Sequence, residues 1–246
     1  MDRMLYLSMA AAKNTLQAHT VNSHNLANVS TTGFRADLSR FISMPIGGQG
    51  FDSRVYAMQE APGISFTPGA IQQTGNALDI AIEGEGLMAV QLADGSEAYT
   101  RSGDLHVTST GMLETAAGNP VMGNGGPIII PPAENIEIGS DGTITIRPVG
   151  QDEKTLATVN RIKLVNPALE DLQKTEGGQL RLKDGTTAPA QASVSVTSGA
   201  LESSNVNMVE ALVDMIVLAR QFEMNIKAMQ TAKQNDESAA QMLRVR

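Results

Sequence analysis

NVNMVEALVDMIVLARQFEMNIKAMQTAKQNDESAAQML, residues 205–243, returns apolar side chains at Val206, Val209, Val213, Ile216, Ala219, Phe222, Ile226, Met229 and Ala232, then at Ala240 and Leu243. Steps of three and four are the period of an amphipathic helix. At about 1.5 Å per residue such a helix reaches about 55 Å. A compact domain of this size needs no helix that long for its own core, so part of the apolar stripe is expected to be covered from outside the chain.

The start of the chain answers its end. Leu5, Met9, Ala12, Leu16, His19 or Thr20, Ser23 and Leu26 or Ala27 repeat with nearly the same period, with neither Pro nor Gly before Gly33. Between Asn14 and Phe34 there is no formal charge, although a helix with a solvent face normally carries several. Both faces of this first helix are therefore expected to touch protein. One reading is an intramolecular hairpin that fastens a monomer; the other, favoured by the missing charges, is a packing unit for self-assembly.

Composition narrows the rest. With 246 residues there is material for one or two domains, and 41% hydrophobic against 3% aromatic residues, with no Trp, means a core of Val, Ile, Leu and Met. Few rings are left for stacking on bases or sugars. The net charge of −8 resides in the middle of the chain, because both ends are close to neutral. Nucleic acid is an unsuitable partner for such a chain. There is no cysteine, which excludes disulfides and thiolate metal sites and fits either redox compartment. Neither a cleavable secretory signal nor a membrane-spanning run is recognisable, so no membrane insertion is expected and any export would use no cleaved signal peptide.

The first helix is expected to stop near Asn28, where Ser30, Thr31, Thr32 and Gly33 compete for backbone bonds. Residues 37–68, interrupted by Pro45, Gly47, Gly48, Gly50, Pro62 and Gly63, read as an extended connector with one short strand pair; Phe41, Ile42, Phe51, Val55 and Tyr56 are apolar enough to dock on something. From Gly69 onward short alternating runs follow one another, among them Leu78-Ile80-Ile82, 87–92, 98–100, Leu105-Val107, Ile136-Ile138 and Ile144-Ile146. Asp94-Gly95, Ser102-Gly103, Thr110-Gly111, Asp141-Gly142 and Asp184-Gly185 supply the turns between them. The expected fold is α+β: a discontinuous terminal two-helix coiled-coil domain, residues 1–36 and 203–246, with an inserted, mostly antiparallel β domain at 69–202.

No catalytic constellation emerges. His19, His24 and His106 lack ligand spacing, and no cofactor or metal is expected. Glu83 and Glu85 could present two acids to a glycosidic bond, but without an aromatic platform they read as a polar turn. Gly123-Asn124-Gly125-Gly126 is followed by Pro127 and not by the helix N-terminus a phosphate cradle needs. The serines stand in no nucleophile elbow, and methionines at helical spacing on the last helix read as packing. The chain reads as a non-enzyme.

Asn25-Leu26-Ala27-Asn28-Val29-Ser30-Thr31-Thr32-Gly33-Phe34 resembles the N-terminal signature of the bacterial flagellar rod and hook family. Residues 69–74 and 78–86 resemble the family's entry into its inserted β domain, Tyr99-Thr100-Arg101-Ser102-Gly103 its next hairpin, and residues 198–206 the lead into its last helix. Leu87-Met88 stands where many relatives have two aromatics. Length, Arg35-Ala36-Asp37 and Met44-Pro45 are most similar to proximal-rod members, with distal-rod members second. The resemblance implies a structural subunit of the basal body whose terminal helices line a tube, with the β domain outside. It also implies passage through the flagellar export apparatus and assembly in the periplasm with itself and other rod subunits. The interface is expected at Leu5, Met9, Ala12 and Leu16; at Asn25, Leu26, Ala27, Asn28, Thr32, Gly33 and Phe34, whose loop would set how the first helix meets the next subunit; and at Asn205, Val206, Val209, Val213, Ile216, Phe222, Ile226 and Met229. A cell-wall-acting enzyme or carbohydrate-binding protein using Glu83 and Glu85 is the alternative of another class; a secreted effector with a helical hairpin leaves the central blocks without an account.

Overall fold

The computed structural model describes residues 3–45, 55–59, 63–148, 150, 156–175 and 177–244. It is mixed helix and strand, with α1 (Arg3–Ala27) at one end of the chain and α2 (Met208–Arg244) at the other. The chain divides into two units, one of residues 1–29, 35–66 and 206–246, the other of residues 30–34 and 67–205.

In the first unit α1 packs against α2. Asn207 starts α2: its side-chain oxygen accepts the Val209 N–H at 3.0 Å and the Glu210 N–H at 3.4 Å, and the Glu210 carboxylate sits in the first turn, where the helix dipole favours it. At the other terminus the Asn28 side chain donates to the His24 carbonyl at 2.9 Å and ends α1. The buried positions of α1 are small, namely Ser8, Ala12, Thr15 and Ala18. The two hydroxyls donate to the Met4 and Ala11 carbonyls at 2.9 and 2.8 Å, so burying them leaves no orphaned donor. Two amides fix the antiparallel register: Asn22 donates to the Ala211 carbonyl at 2.7 Å, and Asn225 to the Thr15 hydroxyl at 3.3 Å.

The stretch expected as a connector carries two strand pairs among its described residues. Asp37–Leu38 pairs with Gly63–Ile64, and Phe41–Pro45 with Val55–Gln59, both antiparallel. Asn14 of α1 donates to the Ala57 carbonyl at 2.8 Å and holds the second pair. The expected docking residue Phe51 lies outside the described residues.

The second unit is a set of antiparallel sheets. The largest has five strands in the order Leu164–Val165, Leu87–Gln91, Glu97–Thr100, Leu180–Leu182 and Leu172–Lys174. A second joins Ala133–Ile138, Thr143–Pro148 and Ala157–Arg161. These sheets, with the shorter strand pairs and bridges beside them, build one core from Ile80, Ile82, Met88, Val90, Leu105, Leu113, Val121, Ile128, Ile144, Ile146, Ile162 and Val196. Three of its turns repeat Asp-Gly-Ser or Asp-Gly-Thr, in which Asp94, Asp141 and Asp184 accept both the backbone N–H and the hydroxyl of Ser96, Thr143 and Thr186. Those bonds favour the ionised carboxylates and hold all three below the usual range.

Tyr99 is wholly buried, and its phenol oxygen accepts the Ala188 N–H at 2.7 Å. Burial pushes that phenol from 10.0 up to about 12. The folded state thus favours the neutral ring, a contribution present in full below pH 10.0 and lost as the pH climbs to about 12. The urea midpoint should fall across that window, and fall less steeply in Tyr99→Phe, which should itself cost about 1–3 kcal/mol at neutral pH by leaving the Ala188 N–H without its acceptor.

Candidate functional site

Among the described residues no group of three or more His, Asp or Glu side chains could hold a metal. Glu83 accepts hydroxyl bonds from Ser195 at 3.2 Å and from Thr197 on the paired strand Ser195–Ser198, which makes it an exposed cross-strand contact. His24 bonds Asp37 at 2.9 Å, and His19 contacts the Ser23 hydroxyl.

The motif blocks converge on a buried ion pair in the second unit. Arg101 Nε donates to Glu202 Oε2 at 2.7 Å, with the two side chains only 7% and 2% exposed. The remaining guanidinium donors reach the Ile82 and Gly84 carbonyls at 2.8 and 2.9 Å. Glu202 Oε1 accepts the Gly69 N–H at 2.8 Å, so both charges are satisfied on several sides. Residues 30–34 lie over this pair. The Gly33 N–H donates to the Glu202 carbonyl at 2.8 Å, and the Thr32 and Ser102 hydroxyls are 3.2 Å apart. The Phe34 carbonyl accepts the Asn205 N–H at 3.3 Å, and Lys174 stands 4.1 Å from the centre of the Phe34 ring. Gly33 has a φ of +65°, and a Cβ on it would lie 2.3 Å from the Arg101 carbonyl carbon, so no other residue fits. Asn205 also donates to the Thr67 carbonyl at 3.0 Å.

Several residues expected at an interface are therefore occupied within the chain. Thr32, Gly33, Phe34 and Asn205 belong to this clasp. Asn25 donates to the Asp37 carbonyl at 2.9 Å and accepts the Asp37 N–H at 2.8 Å, imitating a strand partner. Asn28 caps α1, and Ala12 is buried on the side of α1 that carries Ser8 and Thr15. Leu5, Leu26, Val206, Phe222, Ile226 and Met229 are half-buried, and Ala27 is exposed.

The others point outward. Met9 and Leu16, two helical turns apart, are 53% and 55% exposed. On α2 the buried and half-buried positions include Ala211, Met215, Leu218, Phe222, Asn225, Met229 and Ala232, which make one stripe, with half-buried Ile226 and Ala228 beside it. Val209, Leu212, Val213, Ile216 and Val217 make an exposed apolar stripe on the opposite side of its first half. The periodicity read from the sequence joined these two faces into one; the signal that separates them is the second set of apolar positions, Ala211, Met215 and Leu218. Arg101 and Glu202 gave no signal of pairing, because strand ends that far apart in sequence are brought together only by the sheet pairings. Arg101→Met should lower unfolding stability by about 3–5 kcal/mol, since it strands a buried carboxylate, and urea titration of the full chain would measure it.

Comparison with known proteins agrees with this architecture. The family model described as "Flagellar hook protein FlgE/F/G D1 domain" matches residues 81–146, and that described as "Flagellar basal body rod FlgEFG protein C-terminal" matches residues 197–242. The chain is 41% identical over 249 residues to the flagellar basal-body rod protein FlgF of Salmonella typhimurium, with 99% of each chain covered. The FlgF of Escherichia coli K12 matches at the same identity and coverage. The rod protein FlgG of Bacillus subtilis is 34% identical over 256 residues, covering 94% of this chain and 96% of its own. With its motif blocks gathered into a structural clasp and likeness along its whole length, the chain belongs to the flagellar basal-body rod protein family, as a structural subunit and not an enzyme.

Proposed function

We propose that this subunit builds the proximal part of the rod, the axial shaft of bacterial motility, by packing helically with copies of itself and with other rod subunits through α1 and α2. The observation that carries the reading is the two-faced first half of α2. One stripe is committed to α1; the opposite one, Val209, Val213 and Ile216, exposes apolar side chains that water disfavours at about 25 cal/mol per Å². Alternation of four and three along Ala211, Met215, Leu218, Phe222, Asn225, Met229 and Ala232 is the seven-residue pattern of a coiled coil, the pairing proposed for the two helices. A contact between unlike faces, repeated by a screw operation, builds an open helical tube.

The 41% identity to the FlgF of Salmonella typhimurium and Escherichia coli, against 34% to the FlgG of Bacillus subtilis, supports proximal placement, with a distal position as the second reading. In this proposal the residues 1–36 and 203–246 form the assembly domain, 37–68 the connector and 69–202 the inserted domain. The chain reaches the periplasmic basal body through the flagellar export apparatus without a cleaved signal peptide, and it neither inserts into membrane nor binds nucleic acid, in keeping with its acidic middle. No helix among the described residues is long and apolar enough to cross a membrane.

Leu16 and Ile216 are each 55% exposed, so an aspartate at either position is tolerated by the monomer. Leu16→Asp and Ile216→Asp should retain the parent circular dichroism spectrum yet fail to enter purified basal bodies and abolish swimming. Normal motility in both would contradict the proposal.

A further inference from the structure

Within the second unit the ends of its two segments are tied to one another. Gly33 bonds Glu202, Phe34 bonds Asn205, and Asn205 bonds Thr67, all through backbone groups at one end or both. We infer that residues 31–34 form a strap whose docking on the β unit promotes the pairing of α1 with α2.

On the α1 side the helix seam is weak. The buried side chains of α1 are Ser8, Ala12, Thr15 and Ala18, which remove little apolar surface from water. In proteins most helical stability comes from packing of an apolar face and not from propensity. The partner of α1 begins at Met208, far along the chain from the end of α1 at Ala27. The cost of closing a loop rises with the logarithm of its length. Once Phe34 is bonded to Asn205, the covalent path between the helix ends shortens to residues 28–34 and 205–207. The effective concentration of one helix for the other rises accordingly.

The strap is separable from the hydrophobic core that it caps. Its contacts are the Gly33 and Phe34 backbone bonds, the Thr32–Ser102 hydroxyl pair and the Phe34 ring under Lys174, and none of these residues belongs to the core cluster. Docking is gated by Gly33, because a Cβ there meets the Arg101 carbonyl carbon at 2.3 Å. A folded β unit thus recruits the strap, and the docked strap presents the two helices to each other.

Hydrogen exchange on the full-length monomer tests this. Gly33→Ala should speed exchange at the Asn205 amide and across α1 at least tenfold, while the amides of Val90 and Ile146 stay as slow as in the parent. Rapid exchange at Asn205 with α1 unchanged would overturn the inference. Should Gly33→Ala also expose the core, a second variant decides. The chain has no cysteine, so Thr32→Cys with Ser102→Cys places a single pair where the two hydroxyls lie 3.2 Å apart. Closing that disulfide should slow α1 exchange at least tenfold relative to the reduced form, and equal rates in the two forms would overturn the coupling. Both readings are made on monomer, so neither depends on incorporation into the rod.

Discussion

The Arg101–Glu202 ion pair is the constraint on which the second unit turns. A guanidinium and a carboxylate, each less than a tenth exposed, are stable inside protein only when their remaining donors and acceptors are also met. Here they are met by backbone from two places in the sequence, the Ile82 and Gly84 carbonyls and the Gly69 N–H. Each of those backbone groups must stand at a fixed position for the charges to be tolerated. Satisfying the pair therefore specifies how the first, second and last strands of the unit come together. Residues 30–34 then find a surface already shaped for them, down to the absence of a Cβ at Gly33.

Much of this was legible in the residues. The periods of α1 and α2 place both helices to within a few positions, because long amphipathic patterns are strong signals. Short alternating runs separated by Asp-Gly turns describe the β unit, as Leu87–Gln91 and Thr143–Pro148 show. The resemblance carried by the 25–34, 99–103 and 198–206 blocks led to the right family. What the sequence hid is why those blocks have the residues they do. Thr32, Gly33 and Phe34, expected as part of an assembly interface, have partners inside the chain as well. Those partners are non-local: Gly33 meets Arg101 and Glu202 only after the sheets have formed. Likewise a single wheel could not tell that Ile216 and Phe222, both on the apolar period, differ in exposure.

The two units solve the burial problem in opposite ways. The β unit encloses branched aliphatic side chains and one buried tyrosine, and it is complete as a core. On the α1 side the inner seam of the helix pair is alanine and back-bonded hydroxyls, whereas α2 brings half-buried Met215, Leu218, Phe222 and Met229 to it and leaves Val209, Val213 and Ile216 exposed. In the proposed assembly the exposed aliphatic side chains in the first half of α2 are the ones left for neighbours.

The sparse inner seam also bears on heat capacity. Apolar exposure on unfolding raises heat capacity and polar exposure lowers it. The β core, rich in isoleucine and valine, supplies most of that increment, whereas the seam of Ser8, Ala12, Thr15 and Ala18 supplies little. Stability of the β unit is accordingly a strongly curved function of temperature and that of the isolated helix pair a flat one. Burying Val213 and Ile216, as the proposed assembly requires, would give the helices the curvature they lack, so cold would weaken such contacts more than it weakens the helix pair itself.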